Sequence, residues 1–433
     1  MLKIIFTICL CFYNIFSAQK IENYQNIKPF LEHLKTNKQV CNILLIGDSH
    51  IQGGYISEVL RNYFQNNYGN AGRGLVFPYP LANSNGNLDF EAYTNMAWHT
   101  FRTSYEQDIY KEIGAMGFVM GNNENSIIQI DFKNTDDSFD KVKIFGQPTH
   151  SQYNILQSSK SLKDYIKPRK SLQKYIVKEG ENYFELASKF NIVTTRLLQL
   201  NGISVKNPKA GQIINVENVD YLYDNNFKNY TQILSCGELK SINEINYPSL
   251  QKSFLMEIIG ENNILYGFQF IKSGAKKGVI FNSVGVNGAT YADFIKYPLQ
   301  IKQLKATEPH FIIIALGTNE SLNNTSETEF KANARTLIKK LRENNDNLPI
   351  LLISPTDNNI NPNKIAKISN WIQEISKENN TAFLNLYKFL GGKGYFQKKL
   401  TEKKANKDNV HFLPTGYQEQ ASIILKCLFS EEN

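Results

Sequence analysis

Ser49 is the residue whose surroundings most favour covalent chemistry. It follows Gly47 and Asp48 at the end of the apolar run Ile43–Ile46, which is typical of a short strand buried on both faces. Glycine permits a sharp turn, and apolar residues at helical spacing resume at Ile56. A serine between a strand end and a helix can attack a carbonyl, because backbone N–H groups there can hold the oxyanion. The same tripeptide is also common in ordinary turns.

Three further clusters could supply the other groups that serine chemistry needs. They are Gly285–Ala289, Gly317–Glu320 and Asp408–His411. A histidine can take the serine proton near neutral pH, and a carboxylate three residues earlier can reach its other ring nitrogen. An asparagine amide can donate to the developing oxyanion. Each cluster alone also fits a structural turn, so the prediction depends on all of them following the right elements in order.

The second half of the chain predicts the elements that bring these clusters together. Buried strands are predicted at Val279–Phe281, Phe311–Leu316, Ile350–Ile353 and Ala382–Leu386, with amphipathic helices near Asp293–Leu304, Glu327–Glu343 and Asn363–Glu378 and a final helix after Pro414. Together with the first strand, at Ile43, this alternation predicts an α/β fold with a doubly wound, five-stranded parallel sheet. Ligands of such sheets bind beyond the carboxyl ends of the strands.

The stretches 106–160 and 230–277 have a different texture, with alternating apolar residues such as Ile127–Phe132. They predict an antiparallel β-sandwich inserted into the α/β domain, whose two parts are residues 27–105 and 278–433. A sugar-binding role and a purely structural role for this insert both stay open. The Gly-, Asn- and Pro-rich loop 69–87 follows the nucleophile helix and is a candidate substrate rim.

Residues 175–216 interrupt the β-rich insert with a β-α-α-β pattern that ends its second helix at Asn201–Gly202. This segment resembles a LysM module, a binder of glycans that contain N-acetylglucosamine. The resemblance implies a sugar groove lined at one loop by Gly180, Glu181, Asn182 and Tyr183, and at the other by Gly202 and Ile203. Glu181 and Asn182 stand where the family most often has Asp and Thr.

The four clusters together resemble the SGNH (GDSL-type) hydrolase superfamily over residues 40–105 and 278–428. The resemblance implies a flavodoxin-like fold in which Ser49 is the nucleophile and Asp408 and His411 complete a catalytic triad. It also implies an oxyanion hole made by the backbone N–H groups of Ser49 and Gly288 and the side-chain amide of Asn319. Glu320 is a departure, since the family often has Asp there. No metal or organic cofactor is implied.

Composition adds limits on compartment and partners. Residues 1–18 read as a signal peptide, with Lys3 before an apolar run and Phe16–Ser17–Ala18 as its exit. No other apolar run is long enough to cross a bilayer. The formal charge of +8 is dispersed along the 433 residues, which does not favour a nucleic-acid partner. The remaining cysteines, Cys41, Cys236 and Cys427, are odd in number, leave their pairing open and include no zinc-binding spacing.

The segments Gly47–His50, Asn287–Tyr291 and Gly317–Glu320, together with a β-rich insert, are similar to those of bacterial peptidoglycan O-acetylesterases. That resemblance implies removal of acetyl groups from the C6 hydroxyl of N-acetylmuramic acid by an exported, periplasmic or extracellular, cell-wall-associated enzyme. Three alternatives stay open: an O-acetylesterase for another polysaccharide such as xylan, a non-catalytic wall-glycan-binding protein, and acetyl transfer to a glycan acceptor. The sequence leaves open the oligomeric state.

Overall fold

The computed structural model describes residues 21–36, 38–179, 181, 183, 186–187, 190, 192, 194–202, 208–223 and 227–429. The signal peptide predicted for residues 1–18 lies outside these residues, as do three of the predicted groove residues, Gly180, Asn182 and Ile203. In the described part, no helix is both long enough and apolar enough to span a bilayer. Within the same part, Cys41, Cys236 and Cys427 form no disulfide with one another.

The strands and helices are numbered along the chain. The strands are β1 (Val40–Gly47), β2 (Asn70–Gly72), β3 (Gly74–Val76), β4 (Phe90–Thr94), β5 (His99–Arg102), β6 (Phe118–Asn122), β7 (Ser126–Phe132), β8 (Phe139–Gly146), β9 (Gln152–Ser158), β10 (Ile166–Ile176), β11 (Ile213–Tyr223), β12 (Tyr230–Glu238), β13 (Ile242–Gln251), β14 (Ser253–Ile259), β15 (Asn263–Ile271), β16 (Gly278–Gly285), β17 (Phe311–Ala315), β18 (Ile350–Ile353) and β19 (Ala382–Leu384). The helices are α1 (Lys28–Thr36), α2 (Ser49–Gln52), α3 (Tyr55–Tyr68), α4 (Thr194–Asn201), α5 (Tyr291–Lys296), α6 (Pro298–Lys305), α7 (Thr318–Leu322), α8 (Glu327–Arg342), α9 (Pro362–Glu378), α10 (Leu386–Phe389), α11 (Tyr395–Thr401) and α12 (Pro414–Phe429).

A parallel sheet in the order β19-β18-β17-β1-β16-β2 forms the centre of the α/β domain. The predicted doubly wound fold is confirmed, with one more strand than the five expected. The extra strand, β2, has only three residues, Asn70–Gly72, and its sequence carries no apolar run. The helix predicted over 293–304 is two helices, since Pro298 begins the second at its first position, where proline is tolerated.

Strand β1 is buried on both faces, as its continuous apolar sequence predicts. Ile43 and Leu45 pack in a core with α1, α3 and α12. Leu44 and Ile46 pack on the opposite face, in a core that α8 and α9 share. Each fully buried aliphatic side chain of this kind stabilises the fold by about 1.5–3 kcal/mol, so β1 is anchored from both sides.

The β-rich insert forms two packed antiparallel sheets, as the alternating sequence predicts. One sheet has the order β12-β9-β14-β7-β4, and the other has the order β13-β8-β15-β6-β5 with β3 beside β15. The sandwich begins earlier than the boundary predicted at residue 106, because β4 pairs with β7 and β5 pairs with β6. Its core is continuous with one face of the parallel sheet, where Phe254 and Phe268 belong to the same cluster as Ile46.

The inserted LysM-like module has its own small core, in which Val177, Leu186, Leu197 and Ile214 are buried. It stands on a two-stranded antiparallel ribbon of β10 and β11, in register from Ile166–Tyr223 to Ile176–Ile213. The polar segments that flank the module in sequence therefore contribute strand residues at 166–174 and 217–223. The described side chains of β10 are exposed or half-buried, so this strand needs no apolar alternation, and its sequence consequently resembles a linker.

A buried cluster of two arginines and two aspartates joins the α/β domain to the sandwich. Arg61 on α3 contacts Asp89 at 2.9 Å and Asp137 at 2.6 Å, and Arg73 donates to both oxygens of Asp89. All four side chains are at most 5% exposed. Burial alone would raise the pKa of Asp89, but Arg73 and Arg61 outweigh it and lower this pKa. Buried charges of this kind persist only when they are paired.

We expect Asp89→Asn to lower the free energy of unfolding by about 3–5 kcal/mol, because two buried guanidinium groups lose a charged partner. The matched control is Glu91→Gln, two residues further along the chain on β4; the Glu91 carboxylate pairs at the surface with Lys133 and Lys163, and its loss should cost at most about 1 kcal/mol. Denaturant titration followed by circular dichroism measures both. The wild type should have the higher free energy of unfolding at pH values above the pKa of Asp89 in the unfolded chain, near 3.8. This difference from Asp89→Asn should disappear as pH falls through the lowered pKa of Asp89 in the folded protein. Equal losses in the two variants would contradict the assigned role of the cluster.

Candidate active site

Ser49 begins α2, directly beyond the carboxyl end of β1. Asp48 caps this helix through a 2.9 Å hydrogen bond from the His50 N–H to its carboxylate. Gly47 is required for the close approach of strand and helix, since a Cβ there would lie 2.2 Å from Ile51 Cγ1. The tight turn leaves Ser49 Oγ 2.7 Å from His411 Nε2.

His411 is held by Asp408 in the loop before α12. The Asp408 Oδ2 atom lies 2.9 Å from His411 Nδ1, and Oδ1 accepts from the backbone N–H groups of Val410 and His411. Asn409 takes the left-handed conformation, with φ of 67°, that turns the chain back so that this contact forms. The geometry assigns the ring proton to Nδ1, so Nε2 can accept from the serine hydroxyl.

Burial and charge act in opposite directions on this pair. Burial lowers the pKa of His411, but the charge and the hydrogen bond of Asp408 outweigh it, and the net pKa is raised above 6.5. Burial raises the pKa of Asp408, and His411 with two backbone N–H groups reverses this to a net lowering. Asp408 therefore stays ionised while His411 becomes a stronger base, which suits proton transfer from a hydroxyl.

Gly288 and Asn319 line the same cleft as Ser49 and His411. Gly288 has a φ of +80°, a conformation that favours glycine, and the loop is tied down by Ser104, whose hydroxyl donates to the Asn287 carbonyl at 2.7 Å. One N–H of the Asn319 amide donates to Ala289 O at 2.8 Å, and the amide has a second N–H. The structure thus brings together all five residues predicted for the triad and the oxyanion hole.

The cleft has a volume of about 320 Å³ and is lined by residues of the α/β domain, the sandwich and the inserted module. Asn85, from the predicted rim loop, lies on one side, and Leu322 and Leu413 form apolar walls. Ala187 and Ile192 of the LysM module also line it. The module is therefore a wall of the cleft in addition to any binding role of its own.

Sequence reasoning missed two of the lining residues that come from outside the motifs. Arg102 ends β5 with its guanidinium 4.3 Å from the centre of the Tyr105 ring, and it reaches the cleft from the sandwich. Tyr55 stacks on Tyr417 with ring centres 5.9 Å apart at the start of α3. Neither has a local sequence signal, because only the packing of the insert and of α12 brings them to the cleft.

A second histidine, His50, lies beside Ser49, and its contacts are structural. Its Nδ1 lies 3.1 Å from the Tyr417 hydroxyl, and its ring centre lies 5.2 Å from that of His411. Burial, and next the charge of His411, lower the pKa of His50 to about 3. His50 is consequently neutral at physiological pH and faces Tyr417, while His411 faces Ser49.

The predicted LysM groove is only partly described. Glu181 accepts hydrogen bonds from the Tyr175 hydroxyl at 2.9 Å and from the Lys178 N–H at 2.8 Å. Tyr183 is 4% exposed and its side chain belongs to the core of the module, so its place in the predicted groove stays a prediction. Among the described residues, no atom lies within 4 Å of the position that a Cβ on Gly202 would take. The position of Tyr183 in the family pattern did not indicate that its side chain packs into the core of the module.

The chain matches two known families. Residues 268–419 match the GDSL-like lipase/acylhydrolase family, and residues 175–217 match the LysM domain. The first match does not include Ser49, which the long insertion separates from the rest of the α/β domain in sequence. No curated protein matches the chain by sequence.

One solved structure resembles this chain over nearly its whole length, and others resemble a part of it. A peptidoglycan O-acetylesterase is 16% identical and has a TM-score of 0.61, over 94% of this chain and 95% of its own. A lipase/acylhydrolase from Enterococcus faecalis is 22% identical, with a TM-score of 0.29 over 35% of this chain and 75% of its own. An acetylxylan esterase from Geobacillus stearothermophilus is 19% identical, with a TM-score of 0.30 over 35% of this chain and 73% of its own. The predicted combination of a GDSL-type hydrolase domain and an inserted LysM module is confirmed, and with it the class of carboxylic ester hydrolases.

Proposed function

We propose that the protein is a serine esterase that removes O-acetyl groups from cell-wall peptidoglycan, at the C6 hydroxyl of N-acetylmuramic acid. The observation that carries the proposal is the hydrogen-bonded series Ser49–His411–Asp408, open to a cleft that the LysM module helps to line. The resemblance in fold to a peptidoglycan O-acetylesterase supports the same reading. Export to the periplasm or the cell exterior is part of the proposal.

The proposed reaction has two acyl-transfer steps. Ser49 Oγ attacks the acetyl carbonyl carbon while His411 Nε2 takes the hydroxyl proton, and the imidazolium is stabilised by Asp408. The carbonyl oxygen becomes an oxyanion that accepts from the N–H groups of Ser49 and Gly288 and from the Asn319 amide. His411 then gives its proton to the departing sugar oxygen, which leaves an acetyl-serine. Water, deprotonated by His411, releases acetate and restores Ser49.

The LysM module supports a wall polymer as the substrate over a free small ester. Its residues Ala187 and Ile192 stand in the wall of the catalytic cleft, so a glycan held near the module is also near Ser49. An acetylated polysaccharide of another kind, acetyl transfer to an acceptor sugar and wall binding without catalysis are the competing functions, and the substrate assay separates them.

We expect acetate release from O-acetylated sacculi by the wild type and none above background by Ser49→Ala, which lacks the nucleophile. Sacculus binding by Ser49→Ala should persist, because removal of one hydroxyl leaves the module unchanged. Acetate quantification after incubation, with acetylxylan as the comparison substrate and product analysis for transfer, measures this. Turnover of acetylxylan alone, or binding without any turnover, would contradict the proposed function.

The triad predicts a specific pH dependence. The kcat/KM of the wild type for p-nitrophenyl acetate should rise with pH as His411 loses its proton, with a midpoint above 6.5 because Asp408 raises this pKa. Asp408→Asn should lower kcat by about 10³–10⁴ and move the midpoint down. Asp346→Asn, at an exposed position after α8, is the matched control and should leave the profile unchanged. An unshifted midpoint in Asp408→Asn would contradict the assigned pairing.

Removal of the module tests its part in substrate binding. Because Ile176 pairs with Ile213, replacement of residues 177–212 by Asn-Gly can close β10 and β11 as a hairpin. We expect acetate release from insoluble sacculi to fall about 10–100-fold, since the local concentration of glycan near Ser49 is lost. Hydrolysis of p-nitrophenyl acetate should change by less than about 3-fold, because this small ester needs no glycan contact. Equal losses on both substrates would contradict a role in substrate binding.

A further inference from the structure

Two consecutive residues of α7 hold the loop that carries Gly288. The Asn319 amide donates to Ala289 O at 2.8 Å, and Glu320 Oε1 accepts from the Tyr291 N–H at 2.7 Å. Tyr291 is the first residue of α5, directly after the loop. Gly288 therefore precedes two backbone groups that α7 fixes, and the second of these contacts depends on a carboxyl group.

Glu320 has surroundings that oppose a negative charge. It is 2% exposed, and among the residues that the structure describes its Oε2 atom has no hydrogen-bond partner. Asp48 from the β1–α2 turn and Asp293 from α5 face it with like charge. The phenol of Tyr291 also interacts electrostatically with Glu320, and so does the cation of Lys364 on α9. Burial first, and then the two aspartates, raise the pKa of Glu320 to about 8 against the opposing effect of backbone N–H groups.

We propose that Glu320 is a positioning residue for the oxyanion hole and that it acts as a neutral carboxylic acid. Its carbonyl oxygen accepts from the Tyr291 N–H and fixes the Gly288 loop, while its proton keeps a negative charge away from the site where the oxyanion forms. An ionised Glu320 would place an unsolvated oxygen beside Asp48 and would oppose the charge that develops on the substrate. This inference rests on the proposed esterase function.

The contact between Glu320 Oε1 and the Tyr291 N–H depends on the length of the side chain. The family often has Asp at this position, as noted from the sequence, and Asp is shorter by one methylene. Gln has the same length and keeps the acceptor oxygen without a titratable proton. Glu320→Gln and Glu320→Asp therefore separate the neutral acceptor from the reach of the side chain.

We expect Glu320→Gln to keep kcat for p-nitrophenyl acetate within about 3-fold near pH 7, and Glu320→Asp to lower kcat about 10-fold or more with KM unchanged. The wild-type kcat should decline above pH of about 8, as Glu320 ionises, and Glu320→Gln should lack this decline. Glu329→Gln, exposed on α8, is the matched control and should follow the wild type throughout.

Stability supplies a readout that does not depend on turnover. A carboxyl whose folded pKa is raised favours the fold below its unfolded pKa, near 4.5, and loses that contribution as pH rises toward its folded pKa of about 8. The Tm of Glu320→Gln relative to the wild type should therefore increase between these pH values and then level off. The same comparison of Tm values, made with both proteins also carrying Ser49→Ala, should show this trend even if the protein hydrolyses no ester. Failure of the esterase proposal is therefore distinguishable from failure of this inference.

Two results would overturn the inference. One is a loss of kcat in Glu320→Gln as large as that in Glu320→Asp, which would mean that the charged form is needed. The other is a difference in Tm between Glu320→Gln and the wild type that stays constant with pH, which would mean that Glu320 is ionised in the fold.

Discussion

The hydrogen bond between Ser49 and His411 joins residues 362 positions apart, and the rest of the site depends on the sheet that makes it possible. Strand β1 lies between β16 and β17, with Gly47 opposite both Gly285 and Ala315. These three strands consequently end at one level, and the loops after them open toward one cleft. Closing so long a chain loop costs entropy that grows only slowly with length, and burial of both faces of β1 offsets it.

The sandwich is a structural part of the α/β domain rather than an attachment to it. Its phenylalanines share a core with Leu44 and Ile46, and the buried arginine–aspartate cluster fastens its first strand to α3. It also reaches the site, because the segment after β5 provides Ser104, which donates to the loop of the proposed oxyanion hole. The insertion thus stabilises the arrangement of site residues that it separates in sequence.

The parts that sequence predicts well are those with strong local signals. Strand β1 is a continuous apolar run, and the four motif clusters stand at strand ends or before the last helix, so fold and motif positions follow from pattern and resemblance. Strand β2 and the ribbon were missed, since β2 has three residues and the sequence of β10 has no apolar alternation. Arg102 reaches the cleft through tertiary packing alone, and the burial of Tyr183 depends on side-chain direction, for which the sequence carries no periodic signal.

The paired strands β10 and β11 connect the LysM module to the sandwich by two polypeptide segments that are hydrogen-bonded to each other. A single flexible segment lets a domain swivel freely, whereas a ladder of two resists twisting and bending. Under the proposed function, a sugar chain bound by the module would meet Ser49 from a narrow range of directions. Acetyl groups within that range would be removed during one binding event, and the others only after the chain dissociates and binds again at another position.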